Sequence, residues 1–426
     1  MTASNRSVLS RHLILSLYVP ALVLSLGQGI ILPALPVYAK SFGVGFGEAA
    51  LLFVFYQAGD LAATFPTGFL LDKFGRRPVL LAAPILSAGA TLMMVFAGSF
   101  PELLLYRFIA GAAQEFWHQA RLAVIADSAH ASARGRQVAW MVGIQRAGTM
   151  FGPAFGGLLA VAIDVRAPFV AYAVLLLAIL PCFLMVKESA PVKAAAPATS
   201  DTASDGSSTP AAAEPSLLRY LLTLQILTFF AIQIFSTMCR AAQDGTFNLY
   251  AVYSYGVGPD TLGWVSAMAG VAALPIPFAT GYLMDRWGRR KVIMPAFTLL
   301  AFALAFVAGT AFGQLEFAWY VAGYILTQMS QSTTNGTMQV LGADMAPPGS
   351  RGRFFGVWRF VSQIGGMAAP WLFAVVAESV NYGSAFLMLA GFSASTAALT
   401  LWVLKETGGR DKLAANAAAA QAQTAG

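Results

Sequence analysis

The sequence predicts an all-α membrane protein: twelve transmembrane helices in two six-helix bundles related by a pseudo-twofold axis. Three observations predict it. Of 426 residues, 58% are hydrophobic and 11% charged, with a mean hydropathy of +0.67, whereas soluble domains carry roughly 25% charge. Apolar runs of roughly 20 residues, enough to cross about 30 Å of hydrocarbon as a helix, recur along the chain. The second half of the chain repeats the first.

The runs cover about 12–38, 47–71, 78–98, 102–127, 137–163, 167–187, 219–252, 261–284, 291–313, 316–344, 352–378 and 382–404. Each is expected as a helix, because lipid satisfies no backbone polar group. With both termini placed in the cytoplasm, 19 of the 26 Lys and Arg fall on inner segments, 2 (Lys40 and Arg166) on outer loops and 5 within spans. That is a positive-inside distribution, and it accounts for the net charge of +7 without nucleic acid. The first run is too long for a cleavable signal peptide and lacks a small-residue cleavage site, so the first helix is expected to be retained. Cys182 and Cys239 fall inside spans and read as small apolar residues rather than a disulfide.

Residues 188–218 are rich in Ala, Pro, Ser and Thr with no apolar period, the composition of a flexible linker. This sets the expected domains: an N-terminal bundle over 1–187, a cytoplasmic linker over 188–218, a C-terminal bundle over 219–407 and a cytoplasmic tail over 408–426. "SFGVG" at Ser41 matches "SYGVG" at Ser254, and "GFLLDKFGRR" at Gly68 matches "GYLMDRWGRR" at Gly281. Asp127 followed by "RGR" at Arg134 likewise matches Asp344 followed by "RGR" at Arg351. Repeats with an even number of spans share one orientation, so two bundles are related by an axis along the membrane normal.

On these residues the chain resembles the major facilitator superfamily over about 12–407. The loop motif G-x-x-x-D-[RK]-x-G-R-[RK] of that family is matched by Gly68, Asp72, Lys73, Gly75, Arg76 and Arg77, and again by Gly281, Asp285, Arg286, Gly288, Arg289 and Arg290. The resemblance implies that Asp72 and Arg76 latch one state of a two-state transporter; topology alone also explains the Arg and Lys, though less well the Asp between them. Three further matches resemble twelve-span drug:proton antiporters. They are "GQGIILPALP" from Gly27, "RFIAG" with Arg107 and Gly111, and "GTMFGPAFGG" with Gly148, Gly152, Pro153, Gly156 and Gly157. Small residues let helices approach closely and Pro permits a bend; tight packing alone is the other account of the glycines. The longer motif expects Gly where Ala139 stands, and the second-half counterpart carries Ala369.

Transport chemistry is expected where polar groups lie within the membrane, where charge is costly. In the fourth span Arg107, Gly111, Gln114, His118 and Arg121 share one face, with Glu115 beside it. Glu115 is the leading proton-carrier candidate, with Arg107, His118 and Asp60 as further coupling candidates; a static Arg-Glu-His network is the alternative. Cavity candidates are Gln114, Tyr56, Gln57, Arg146, Arg240, Asp244, Gln328, Gln331 and Asn335. Arg240 and Asp244 have the i, i+4 spacing of an ion pair. Arg359 is expected to snorkel to the inner interface, and Trp264, Trp319, Trp358 and Trp371 to anchor at the membrane surface.

The expected function is secondary active transport of small organic molecules by alternating access, as proton-coupled export of drug-like solutes. The alternative is uptake or exchange of an organic anion, since five Arg in the spans face three carboxylates. A transporter-like sensor or lipid-handling protein is the different-class alternative. No metal cluster, nucleophile signature or phosphate loop points to an enzyme, a cofactor or ATP-driven pumping. The expected partners are a small-molecule substrate, a proton or sodium gradient and the bilayer, for a monomer in a bacterial inner membrane.

Overall fold

The computed structural model describes residues 14–128, 131–186, 221–347 and 351–403. Its elements in the first half are α1 (Ile14–Ile31, opening on a π-turn), α2 (Ala34–Ser41), α3 (Phe46–Phe74), α4 (Arg76–Val95), α5 (Phe100–Ser128), α6 (Ala131–Ala162), α7 (Ala167–Ala178) and α8 (Leu180–Leu184). The second half holds α9 (Leu224–Tyr255), α10 (Pro259–Ala273), α11 (Ile276–Trp287), α12 (Arg289–Phe312), α13 (Phe317–Met345), α14 (Arg351–Ser379) and α15 (Tyr382–Trp402). A helix stands at the place of every expected span. Three spans are split, and each break lies beside a Pro: Pro33 between α1 and α2, Pro181 at the start of α8, Pro275 before α11. Proline removes the backbone donor that would carry the helix through.

Nine helical segments among the described residues are long and apolar enough to cross a membrane. α5, α6 and α13, at the places of the fourth, fifth and tenth spans, are as long but are not among the nine. They carry many of the polar residues singled out from sequence, Arg107, Glu115, Arg146 and Gln328 among them, and a helix of that kind needs protein or an aqueous cavity on its polar face. Apolar side chains meanwhile cover the outside of the bundle, Phe65, Phe278 and Trp402 among them at 75%, 77% and 80% exposure. Such a surface fits acyl chains and not water.

The two halves repeat each other in packing. α1 lies on α6 and α7 as α9 lies on α14 and α15; α4 packs on α5 and α7 as α12 packs on α13 and α15. Between the halves, α3 meets α14 and α6 meets α10, again a symmetric pair. The turns that join α3 to α4 and α11 to α12 are also alike: Gly75 has φ +89° and Gly288 φ +98°, values open to glycine and strained for other residues. These two glycines of the repeated loop motif are therefore fixed by backbone geometry.

At the end expected to face outward, three hydrogen bonds cross between the halves. Lys40 Nζ donates to the Val252 carbonyl at 3.1 Å, Tyr253 Oη to the Val44 carbonyl at 2.8 Å, and the Gly47 amide to Glu378 Oε1 at 2.7 Å. Phe46 packs into the same junction against Tyr253, Phe373 and Tyr382. This end is closed.

Candidate functional site

The site begins where α3 crosses α5. A Cβ at Gly111 would collide with the Tyr56 carbonyl, and one at Gly59 with the Phe108 carbonyl, so the two backbones touch. Arg107, one turn from Gly111, is thereby laid on α3. Its guanidinium carbon sits 4.4 Å from the centre of the Tyr56 ring, and Nε donates to the Leu52 carbonyl at 3.4 Å. A cation on an aromatic face is held without a counter-ion. Arg107 thus serves its own half and does not reach Glu115.

Glu115, on the next turn of α5, is fully buried. Its Oε2 accepts from Nη2 of Arg359 on α14, and its Oε1 from Gln119 Nε2 at 2.6 Å. Gln119 also donates to the Thr64 carbonyl of α3 at 2.9 Å. Thr64 Oγ1 donates to Gln363 Oε1 at 3.1 Å, and Gln363 Nε2 donates to Asp60 Oδ2 at 2.8 Å. Two carboxylates of the first half, Glu115 and Asp60, are therefore tied to one helix of the second half near the middle of the bundle. The snorkelling expected of Arg359 is not what the structure has: the side chain turns inward and is 32% exposed. A buried carboxylate is a stronger attractor for a guanidinium than a distant headgroup, because its charge is unscreened by water.

His118 and Arg121 form a separate pair on α5. Arg121 Nη2 lies 3.3 Å from His118 Nδ1, and since guanidinium only donates, Nδ1 accepts and the ring proton belongs on Nε2. Arg121 also lies 5.5 Å from the Trp117 ring centre, with Nε and Nη1 buried and without a hydrogen-bond partner. Gln114 accepts from Gln28 of α1 at 2.6 Å, tying α5 to the first helix.

A third group draws on both halves. Arg146 lies near the middle of α6, and Arg240 and Asp244 near the middle of α9; all three are exposed. Arg240 and Asp244 act electrostatically on Arg146, both guanidiniums act on Asp244, and Asp244 also acts on Tyr324 of α13. No ion pair joins Arg240 to Asp244 among the described residues, so the pairing suggested by their spacing is not made. Gln328 Nε2 donates to Tyr324 Oη at 3.2 Å. Gln331 is buried with both amide atoms unpartnered. Gln57 lies against Gly366 of α14. The side chain of Asn335 lies outside the described residues.

The motif residues divide by role in packing. Gly148, Gly152 and Gly156 abut the backbone of α1 at Leu26 and Ile30, while Gly157 and Pro153 abut α10 of the other half at Pro259 and Gly263. One stretch of α6 thus seats a helix within its half and a helix across the interface. Gly68 and Gly281 have open space where a Cβ would stand. Arg289 donates to the Met284 carbonyl at 3.2 Å and Arg290 to the Leu401 carbonyl. Asp72 is exposed, and the Asp285 side chain lies outside the described residues. Trp264, Trp319 and Trp371 are about half exposed, as surface anchors would be, but Trp358 packs against Phe229 and Phe355 at 5.9 and 5.7 Å.

The geometry sits on a fold with known counterparts. A family model described as Major Facilitator Superfamily matches residues 17–242 and 229–425. The chain is similar to the class G tetracycline resistance protein of Vibrio anguillarum, 27% identical over 370 residues, covering 81% of this chain and 85% of that one. It is 30% identical over 311 residues to the class C tetracycline resistance protein of Escherichia coli, covering 66% and 71%. Among solved structures, a D-xylose-proton symporter superposes with a TM-score of 0.73 at 15% identity, over 93% of this chain and 98% of that one.

Proposed function

The chain belongs to the Major Facilitator Superfamily, a multi-pass membrane transporter, and on that premise we propose proton-coupled export of drug-like organic molecules by alternating access between the halves 1–187 and 219–407. The observation that carries the coupling is the bond between Glu115 of one half, at the middle of α5, and Arg359 of the other, toward the inner end of α14. Ionised, Glu115 holds Arg359 and with it the approach of α14 to α5. A proton on Glu115 removes the charge that Arg359 compensates, so the pair loosens and the halves are free to part. Asp60, held by Gln363, lies in the same network and is the second carboxylate available to it. Both termini lie in the cytoplasm in this reading, as the Lys and Arg distribution favours.

The loop motifs act at the inner ends. Asp72 makes no bond among the described residues in this outward-closed state, which fits a latch that forms when the inner ends approach. The rigid turns at Gly75 and Gly288 present Arg76, Arg77, Arg289 and Arg290 to that junction. Support for the drug-like cargo is the similarity to two tetracycline resistance proteins. A proton gradient is the energy source, a monomer suffices, and no catalysis is assigned.

The test is transport in inverted membrane vesicles carrying an imposed proton gradient, with lumenal pH followed while tetracycline, lipophilic cations and small carboxylates are added in turn. Wild type is expected to dissipate the gradient with at least one class, and Glu115→Gln to abolish that response. Equal responses in wild type and variant overturn the assignment to Glu115. No response to any class overturns proton coupling.

A further inference from the structure

The charges of Arg146, Arg240 and Asp244 are not needed by the coupling network, and their placement is specific. On α9, Arg240 and Asp244 each lie roughly 160° around the helix from Leu224, at about 100° per residue, and Leu224 is 72% exposed. On α6, Arg146 lies roughly 120–180° from Phe151, Phe155 and Leu158, which are 51%, 60% and 47% exposed. Those three side chains line an apolar lateral groove of about 560 Å³ with Trp264 and Met268 of α10, and apolar exposure of this kind marks the lipid side. The charged faces of α6 and α9 therefore point away from lipid. All three groups are exposed, yet Arg240 and Asp244 act electrostatically on Arg146, and both guanidiniums on Asp244, across the two halves. They therefore face the space between the halves from the middle of their helices, where charges persist when they serve a pathway.

The balance there is two guanidiniums to one carboxylate. Neither guanidinium has a hydrogen-bond or ion-pair partner among the described residues, and Asp244 does not close on Arg240. We propose that the transported solute carries a carboxylate, bound by Arg146 and Arg240 from opposite halves, with Asp244 taking a cationic or N–H donor end of the same molecule. The site thus selects zwitterionic amphiphiles over cations of similar shape. A guanidinium offers paired donors in the geometry of a carboxylate, and a ligand held from both halves draws them together over itself. Tyr324 and Gln328, hydrogen-bonded to each other beside Asp244, supply further polar contact. This inference rests on the reading of the chain as a transporter of organic solutes.

The experiment measures equilibrium binding to the full chain in lipid nanodiscs, at neutral pH and without a gradient, using several fluoroquinolone carboxylic acids and their ethyl esters. Each pair differs only in the carboxylate. Wild type is expected to bind the acids roughly tenfold or more tightly than the esters. Arg146→Gln and Arg240→Gln should each bring the acid to the affinity of its ester, with ester binding within roughly twofold of wild type, which shows the fold intact. Arg146→Lys and Arg240→Lys should keep most of the preference. Asp244→Asn should weaken acids with a free amine and spare their N-acetyl forms. Equal or tighter ester binding, no binding of any acid, or a preference that survives both glutamine variants overturns the proposal. So does a loss as severe in the lysine variants as in the glutamine ones. An intact acid preference in a protein that moves no solute leaves the carboxylate site standing and overturns the transport reading instead.

Discussion

Arg359 of α14 donates to Glu115 of α5, and so bonds the second half of the chain to the first through a carboxylate that is fully buried. Burying that bond between the packed halves has a thermodynamic consequence. Neither charge is stable there alone, since hydrocarbon and packed protein screen neither. Whatever removes one charge destabilises the other, and the relation between the halves changes with it.

Removing one partner is expected to cost stability, and removing both to cost less than the sum. Arg359→Gln strands the Glu115 carboxylate, with a loss of about 1–3 kcal/mol, below the cost of a fully buried pair because Arg359 keeps some access to solvent. Glu115→Gln should lose a similar amount. The double variant should recover about 1–2 kcal/mol relative to additivity. Thermal unfolding of the purified protein reads this; strict additivity would mean that the pair carries no coupling.

Asp60→Asn separates the two carboxylates of the network. The amide oxygen of Asn still accepts from Gln363 Nε2, so the link from α3 to α14 survives and the melting temperature should change little. If Glu115 alone carries the proton, gradient dissipation in this variant stays within roughly threefold of wild type, a change of about 0.6 kcal/mol. Loss of dissipation with stability unchanged moves the proton to Asp60.

How much of this is legible in the sequence differs by scale. The helices are legible because length and hydropathy alone decide what spans a bilayer, and the halves because their loop motifs repeat. Glu115 and Asp60 stand out as carboxylates in apolar runs. Their partners do not stand out, because partnership depends on how α3, α5 and α14 cross. A signal is present all the same: Asp60 and Thr64, Glu115 and Gln119, and Arg359 and Gln363 are three polar pairs at i, i+4, each on one helix face. Arg359 reads as a snorkelling residue only if its helix is considered alone. The Arg240 and Asp244 spacing misleads in the opposite sense, since a spacing that permits an ion pair does not require one where both side chains are exposed.

The repeated glycines should respond to alanine according to geometry and not according to motif. Gly68→Ala meets open space and should fold and express as wild type, so any effect on transport reports motion of the loop. Gly75→Ala must adopt φ +89°, at a cost of about 1–3 kcal/mol. Gly156→Ala drives a methyl into the Ile30 carbonyl and should cost about 1–3 kcal/mol or more, with lower yield of folded protein. Equal tolerance at all three positions would contradict the helix contacts described for α1 and α6.

The closed end offers the most direct test of alternating access. Gly47 at the start of α3 bonds Glu378 near the end of α14, and two more bonds cross nearby from Lys40 and Tyr253. If the halves part at this end during each cycle, Gly47→Cys and Glu378→Cys joined by a short bis-thiosulfonate reagent, whose disulfides a reductant cleaves, hold it shut. The background is Cys182→Ala and Cys239→Ala, since both native cysteines are free. Transport should fall to background on cross-linking and return on cleavage, while solute binding from the opposite side persists. Undiminished transport by the cross-linked protein would mean that this end does not open, and that solute passes by another route.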